Sequence, residues 1–303
     1  MDAPRLGRYP TAQHVVAHVS DLHLRAGGAP LGGIVDTVAA LAGAVRQLGR
    51  LGASLDAIVV TGDVADVGEA DAYRIAREHL APVAAAAGAE LVWTIGNHDE
   101  RGPFRAVLLG GDPDDDTPVD HVAWSGGLRI VSLDTSVPGW HHGEASPASL
   151  DWLSEVLAER APAGTLLTMH HAPIPSPVAL MDLLELRAQD ALADLLRGSD
   201  VRAILGGHLH YPTNGLFAGI PVTVAGALAY AIDVSADPRE LIGVDGGRSF
   251  SLVHCFADGS VVSSAVPVGP FEVVARFDAA YLDGIERLDP DARFERFSRK
   301  ASA

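Results

Sequence analysis

Short apolar runs alternate with longer amphipathic stretches over the first two thirds of the chain. Residues 14–20 (HVVAHVS) form a run that is typical of a buried strand. Val38, Leu41, Val45 and Leu48 then recur at spacings of three and four, which predicts one buried face of a helix. Further strands are predicted over residues 56–61, 90–95, 128–133, 165–169 and 201–205.

The predicted helices begin and end at residues suited to those positions. The Ala-rich stretch 70–87 stops at Gly88, because glycine most easily takes the left-handed conformation that follows a helix. Ser146 and Pro147 fit an N-cap and a first helical position, so a helix is predicted from there to about residue 160. Another helix is predicted over residues 189–197, before Gly198.

After Tyr211 the pattern indicates strands alone, at 221–225, 249–256 and 260–266, and the final segment is charged and mixed in sign. No internal repeat or low-complexity linker interrupts this order. Strands that alternate with helices, followed by a run of strands, predict an α/β layered sandwich.

The composition argues against several classes of chemistry. The 303 residues include 22 basic and 39 acidic side chains, and a formal net charge of −17 disfavours binding to nucleic acid or to anionic membranes. The single cysteine, Cys255, rules out an intrachain disulfide and a cysteine zinc site. The single lysine, Lys300, lies near the C-terminus, which argues against a lysine Schiff base or a phosphate-binding loop lysine.

The sequence contains no segment typical of targeting to or insertion into a membrane. The first eight residues lack the apolar region of a secretory signal. No uninterrupted apolar stretch reaches the roughly 18 residues that a membrane-spanning helix requires. We therefore expect a cytoplasmic protein without membrane insertion.

Clusters of polar side chains follow five of the predicted strands. Because open α/β sheets bind ligands at the carboxyl ends of their strands, these side chains are expected to meet at one edge. Along the chain the clusters are Asp21 with His23, Gly62-Asp63, Gly96-Asn97-His98-Asp99, His170-His171, and His208 with His210.

Each cluster taken alone also has an ordinary structural explanation. Asp21 and His23 could belong to a surface turn, and Gly62-Asp63 is a common turn pair. The Gly96–Asp99 block is harder to explain in this way, because three polar side chains directly follow a buried strand. Five such clusters, each at a strand end, are not explained by turns. Their histidine, carboxylate and amide groups together predict a metal site.

These blocks resemble the calcineurin-like metallophosphoesterase superfamily, whose pattern is D-x-H, G-D, G-N-H-D/E, a later strand-end histidine and G-H-x-H. The resemblance covers roughly residues 14–211, and segments 61–66, 133–139 and 206–211 further resemble actinobacterial class III cyclic-nucleotide phosphodiesterases. It implies an α/β fold, a four-layer α/β/β/α sandwich with mixed sheets. We expect this domain over residues 1–270 and a C-terminal tail, 271–303, that packs on it or extends from it.

The resemblance also implies a dinuclear metal centre in which a hydroxide bridging the metals attacks phosphorus. Asp63 would bridge the metals and, with His98, form the catalytic pair, His98 facing the scissile phosphate. The first metal would be held by Asp21, His23, Asp63 and His210, and the second by Asp63, Asn97, His170 and His208. The substrate-binding residues would be His23, Asp63, Asn97, His98 and His210.

Several assignments stay open at the level of sequence. Spacing alone does not distinguish His170 from His171, although the resemblance favours His170 as the ligand and His171 as its support. Asp66 and Asp99 either orient ligand imidazoles or cap backbone groups. The residues His141-His142 lie in a loop, 138–144, that either overhangs the site or is solvated. The acidic run 112–116 is interpreted as a solvated loop, with a cation site as the alternative.

Mixed imidazole, carboxylate and amide ligands suit Fe, Mn, Zn or Co, whereas Mg or Ca would favour oxygen ligands alone. We expect two metal ions per chain, with Fe and Mn favoured and Zn or Co as alternatives. Two such ions lower the pKa of a shared water and hold the phosphate oxygens. They would also allow an acidic protein to bind an anionic phosphodiester.

The sequence thus favours a phosphodiesterase that hydrolyses 3′,5′-cyclic nucleotides, such as cAMP to 5′-AMP. The alternatives are a broader phosphodiesterase or phosphomonoesterase of the glycerophosphodiester type, and a non-catalytic scaffold on the same fold. A scaffold is disfavoured because no ligand position of the motif is lost, and a nuclease is disfavoured by the net charge. We expect a small phosphodiester substrate and no nucleic-acid partner, and the resemblance implies a homodimer.

Overall fold

The computed structural model describes residues 6–300. Its helices are α1 (Thr37–Gly49), α2 (Ala70–Ala87), α3 (Arg101–Phe104), α4 (Pro147–Leu157), α5 (Gln189–Leu196), α6 (Ala279–Glu286) and α7 (Pro290–Ser298). Its strands are β1 (His14–Val19), β2 (Ala57–Thr61), β3 (Glu90–Thr94), β4 (His121–Ser125), β5 (Leu128–Ser132), β6 (Gly143–Glu144), β7 (Thr165–His171), β8 (Leu186–Arg187), β9 (Val201–Gly207), β10 (Thr213–Phe217), β11 (Ile220–Val224), β12 (Ala231–Ile232), β13 (Gly243–Val244), β14 (Ser249–Cys255) and β15 (Val261–Pro267).

Two mixed sheets form the centre of the fold. The first has the strand order β15-β14-β1-β2-β3, in which β1, β2 and β3 are parallel and β14 is antiparallel to both of its neighbours, β1 and β15. The second has the order β10-β11-β9-β7-β5-β4, with four parallel strands between two antiparallel edge strands. The carboxyl ends of the parallel strands carry the polar clusters found in the sequence.

Three apolar clusters divide the domain into four layers. Leu41 of α1 and Tyr73 of α2 pack on one face of the first sheet. The other face, including Val59, meets residues of the second sheet such as Leu166. Leu153 of α4 belongs to the cluster that covers the outer face of the second sheet. The α/β/β/α arrangement expected from the resemblance is therefore confirmed.

The local sequence rules account for the helix ends as predicted. Ser146 caps α4 by accepting a hydrogen bond from the backbone N–H of Ser149, and Pro147 occupies the first turn. Gly88 follows α2 with φ of 70°, in the left-handed region. The observed α4 ends at Leu157, about one turn before the predicted end.

Other elements differ from the sequence-based prediction. Strands β7 and β9 each run two residues further than predicted, so that His170 and His171 belong to the strand itself. Strand β4 was not predicted, because it is a half-buried edge strand without a continuous apolar run. The charged C-terminal segment contains helices α6 and α7, whose N-caps are Asp278 and Asp289.

Contacts divide the chain into two units, which we describe separately. One is the sandwich, Gln13–Gly269, and the other includes residues 6–12 and 270–300. Within the second unit the ring of Tyr281 lies 4.9 Å from that of Phe277 and 6.0 Å from that of Phe297. The division into residues 1–270 and 271–303 stays a prediction. Among the described residues, no helix is both long and apolar enough to span a membrane.

Candidate metal centre and active site

The carboxyl ends of strands from both sheets bring six of the seven predicted ligands to one place. Asp21 and His23 follow β1, Asp63 follows β2, and His170 lies at the end of β7. Candidate ligand atoms lie within 4.8 Å of one another in three buried groups: Asp21 with His23 and His210, Asp21 with Asp63 and His170, and His170 with His171 and His208.

The backbone at these positions is held in an unusual conformation. Seven non-glycine residues in the described part of the chain have positive φ, and five of them are predicted ligands. Such φ values are disfavoured for residues with a Cβ and concentrate at functional sites. The five ligands are Asp21, His23, Asp63, His208 and His210, with φ between 44° and 70°.

Two glycines allow the strands to approach at this edge. A Cβ on Gly62 would lie 2.5 Å from Nδ1 of His170, and φ of Gly62 is +87°. A Cβ on Gly96 would overlap the carboxylate of Asp63. Glycine is therefore required at both positions, because the side chains of the candidate ligands occupy the space.

Each of the four predicted ligand histidines uses one ring nitrogen as a hydrogen-bond donor outside the cluster. The acceptors are three backbone carbonyl groups and one carboxylate, so the donating nitrogen is fixed in each case. Nδ1 of His170 donates to Thr61 O at 2.7 Å, Nδ1 of His210 to Tyr230 O at 3.1 Å, Nε2 of His208 to Leu184 O at 3.0 Å, and Nδ1 of His23 to Asp66 Oδ1 at 3.3 Å. This is the usual arrangement of histidines that bind a metal through the other nitrogen.

Inward-facing nitrogen and oxygen atoms of the cluster converge at short range. In the neutral rings, Nε2 of His23 and Nε2 of His210 are both lone-pair acceptors, yet they lie 3.1 Å apart. Nε2 of His170 is buried without a hydrogen-bond partner and lies 3.2 Å from Oδ2 of Asp63. Acceptors that converge in this way fit a cation, so the residues present suit the metals used by metallophosphoesterases.

Asp63 lies between the two halves of the cluster. Its Oδ2 is 3.6 Å from Nε2 of His23 and 3.2 Å from Nε2 of His170. Its Oδ1 accepts a hydrogen bond from the backbone N–H of His98 at 2.9 Å. Burial alone would raise the pKa of Asp63, but attraction to His170 outweighs burial and holds that pKa well below its usual range. The carboxylate is therefore ionised and faces both histidines.

His171 differs from His170 because both of its ring nitrogens are engaged elsewhere. Nε2 donates to the carbonyl oxygen of His141 at 3.1 Å, and Nδ1 accepts from the hydroxyl of Thr135 at 2.9 Å. Burial lowers the pKa of His171 well below its usual value, so the ring is neutral. Adjacent side chains of a strand project to opposite faces, so His170 and His171 leave β7 in different directions.

His98 lies beside the cluster and is partly open to solvent. Its Nδ1 donates to the carbonyl oxygen of Asp66 at 2.8 Å, and its ring is 4.7 Å from that of His23. Nε2 of His98 is thus free for a group bound over the cluster. Asp99 does not contact an imidazole: it accepts hydrogen bonds from the backbone of Val64, Ala65 and Gly96, which is the capping alternative.

Several groups that support the site had no recognisable pattern in the sequence. The carbonyl oxygens of Thr61, Leu184 and Tyr230 orient ligand histidines, and any residue type supplies a carbonyl. The ring of Tyr230 also packs 4.4 Å from that of His210. His141 reaches Asn97 through a 3.0 Å contact, whereas His142 packs on Trp140.

Comparison with known proteins agrees with this geometry. The sequence profile of the calcineurin-like phosphoesterase family matches residues 14–212. The chain is 48% identical over 273 residues, 90% of its own length and 85% of the other, to a cAMP/cGMP dual specificity phosphodiesterase of Mycobacterium tuberculosis. It is 31% identical over 223 residues, 69% of its length and 77% of the other, to a glycerophosphodiester phosphodiesterase of Enterobacter lignolyticus.

The fold is also similar to that of a purple acid phosphatase from yellow lupin seeds. The TM-score is 0.55 at 12% identity, over 88% of this chain and 58% of the lupin chain. The chain therefore belongs to the calcineurin-like phosphoesterase family, a class of metal-dependent phosphoric ester hydrolases. The recognition made from the sequence motifs is confirmed, and so is the prediction that the protein is an enzyme.

Proposed function

We propose that this protein is a dinuclear metal-dependent phosphodiesterase that hydrolyses 3′,5′-cyclic nucleotides, converting cAMP to 5′-AMP. The observation that carries the substrate class is the 48% identity, over 90% of the chain, to a cAMP/cGMP dual specificity phosphodiesterase. The site supports the reaction type, because its histidine and carboxylate groups converge on buried acceptor atoms.

One metal would be held by Asp21, His23, Asp63 and His210, and the other by Asp63, Asn97, His170 and His208. The position of Asp63 Oδ2 between His23 and His170 supports its role as the shared ligand. Two bound ions, proposed to be Fe and Mn, would supply an acidified water and positive charge for the phosphate oxygens. With this mixture of nitrogen and oxygen ligands, Zn and Co are the alternatives.

The chain's own residues would bind and orient the phosphodiester. In the reaction, water adds to phosphorus, the bond from phosphorus to O3′ breaks, and O3′ gains a proton. His98 is proposed to protonate or stabilise O3′ through Nε2, because Nδ1 is already held by the carbonyl oxygen of Asp66. His23, Asp63, Asn97 and His210 are proposed to line the phosphate position beside His98.

A glycerophosphodiester is the second candidate substrate, because the Enterobacter relative with 31% identity acts on that class. A substrate panel with defined metal content separates the two. We expect kcat/KM for cAMP or cGMP to exceed that for glycerophosphocholine and p-nitrophenyl phosphate by at least about tenfold, or ~1.4 kcal/mol. A higher value for glycerophosphocholine would replace the proposed substrate.

We further propose that the enzyme is a cytoplasmic homodimer that takes small phosphodiesters and not nucleic acids. The net charge of −17 supports the exclusion of nucleic acids, since a basic track is the usual requirement for binding them. Sedimentation equilibrium tests the dimer, and a mass corresponding to one chain would contradict it. Fluorescence anisotropy with labelled single-stranded DNA tests the exclusion, which binding at physiological salt would contradict.

A further inference from the structure

The side chain of Asn97 is held in one orientation by a residue that the family motif does not contain. Nδ2 of Asn97 lies 3.0 Å from Nδ1 of His141. An amide nitrogen has hydrogens and no lone pair to offer, so Nδ1 of His141 accepts this hydrogen bond. His141 therefore carries its ring proton on Nε2. Oδ1 of Asn97 is left buried with no hydrogen-bond partner among the described residues.

The backbone of His141 is in turn held by a hydrogen bond from the ring of His171. Nε2 of His171 donates to the carbonyl oxygen of His141 at 3.1 Å, and the hydroxyl of Thr135 donates to Nδ1 of His171 at 2.9 Å. Gly143 packs so closely on this ring that a Cβ there would overlap it. The loop at 138–144 is thus anchored to the end of β7 through His141 and Gly143, while residues 138–141 stay exposed to solvent.

An amide ligand has a requirement that a carboxylate does not have. A carboxylate presents an oxygen to a metal in either orientation, whereas an amide rotated by half a turn presents N–H groups that repel a cation. A neutral acceptor placed against Nδ2 stabilises the orientation in which Nδ2 faces that acceptor. With its ring proton on Nε2, His141 is such an acceptor, and its bond to Asn97 leaves Oδ1 as the amide atom without a protein partner.

We propose that His141 is a positioning residue that fixes the Asn97 amide with Oδ1 toward the second metal, and that His171 positions His141. This inference rests on the proposed dinuclear centre. It gives His171 a role in support of the site rather than as a ligand, and it gives loop 138–144 a role in metal affinity.

The test measures Mn²⁺ binding to metal-free protein by equilibrium dialysis in three variants. His141→Phe keeps a flat ring and removes the acceptor, and one of the two Mn²⁺ dissociation constants should rise about 10–100-fold while the other is unchanged. His141→Gln restores an acceptor oxygen and should return the affinity to within about threefold of the wild type. His142→Ala, the matched control, should bind as the wild type does.

A second background isolates the orientation effect. With Asn97→Asp, the ligand offers an oxygen in either orientation, so His141→Phe should then change Mn²⁺ affinity by less than about twofold. Equal loss in both backgrounds, a wild-type affinity in His141→Phe, or no recovery in His141→Gln would each overturn the proposal. Wild-type protein that binds a single Mn²⁺ would instead overturn the dinuclear centre on which the inference rests.

Discussion

Nε2 of His170 faces Oδ2 of Asp63 at 3.2 Å, while Nδ1 of the same ring donates to the carbonyl oxygen of Thr61. Burial opposes charge on His170, but the Asp63 carboxylate outweighs burial and raises the pKa of His170 to about 9. The ring thus keeps a proton beside the carboxylate. A divalent ion bound between the two atoms would replace that proton and satisfy both.

Asp63→Ala should remove metal from both sites and abolish turnover. The reason is that Oδ2 of Asp63 faces His23 on one side and His170 on the other, so both clusters lose an anionic group. The number of metal ions per chain is measured by elemental analysis after dialysis. Turnover is measured with cAMP as the substrate. Asp115→Ala, in the exposed acidic loop, serves as the control and should keep both metals. A stoichiometry of two in Asp63→Ala would show that this carboxylate is not shared.

His98→Ala should keep both metals and lower kcat by roughly 10²–10⁴ if the residue acts as general acid. His98 is free at Nε2, and its side chain is held at Nδ1 by the carbonyl oxygen of Asp66. The loss should be large for cAMP, whose 3′-alkoxide needs a proton. It should be small for bis(p-nitrophenyl) phosphate, whose leaving group needs little protonation.

His79→Ala is the matched control for His98, since Nδ1 of His79 contacts only its own helix through Ile75 O. It should leave both rates unchanged. Equal impairment of His98→Ala on the two substrates, or loss of its metals, would contradict a role in protonating the leaving group.

His170→Gln and His171→Gln should differ although the two residues are adjacent. His170→Gln removes the ring nitrogen that faces Asp63 and should weaken one metal by about 10–100-fold. His171→Gln should retain both metals, because both nitrogens of His171 are already bonded to Thr135 and His141. Metal dissociation constants for the two variants provide the comparison. Loss of a metal in His171→Gln with retention in His170→Gln would reverse the assignment.

The sequence was sufficient to predict which polar residues lie together at the candidate site, because these residues follow apolar runs directly. Asp21 and Asp63 each stand within two residues of a strand end, so their meeting at one sheet edge follows from the topology. The choice between His170 and His171 was not available, since both follow the same apolar run and spacing does not show which ring nitrogen faces Asp63. The contact of His141 with Asn97 joins distant segments, and no local pattern encodes it.

The buried elements of the fold could be predicted from the sequence, whereas elements at its edge and C-terminus could not. Strands buried on both faces, such as β2, have continuous apolar sequences and were found with nearly correct ends. Strand β4 and helices α6 and α7 were missed, because their residues are mostly half-buried or exposed and show no clear apolar period. Burial produces the apolar pattern from which an element is predicted. Elements at sheet edges and chain termini lack this pattern and are therefore not predicted.

Asp200→Ala should lower the free energy of unfolding by about 3–5 kcal/mol, the usual effect of breaking a buried ion pair. Asp200 Oδ1 accepts from Nη2 of Arg129 at 2.9 Å, and both side chains are only 5% exposed. Oδ1 also accepts from the hydroxyl of Thr165 at 3.0 Å. Removing the carboxylate leaves the Arg129 guanidinium buried without its counter-charge, and urea denaturation measures the loss.

The exposed pair of Asp194 and Arg197 offers the contrast. Its side chains are 74% and 61% exposed, so Asp194→Ala should change stability by less than about 1 kcal/mol. Asp200→Ala should still hydrolyse cAMP below its unfolding temperature, because Asp200 contacts Thr165 at the start of β7 and the candidate ligands lie at the other end. A loss of unfolding free energy under about 1 kcal/mol in Asp200→Ala would mean that hydration of Arg129 compensates for the missing carboxylate.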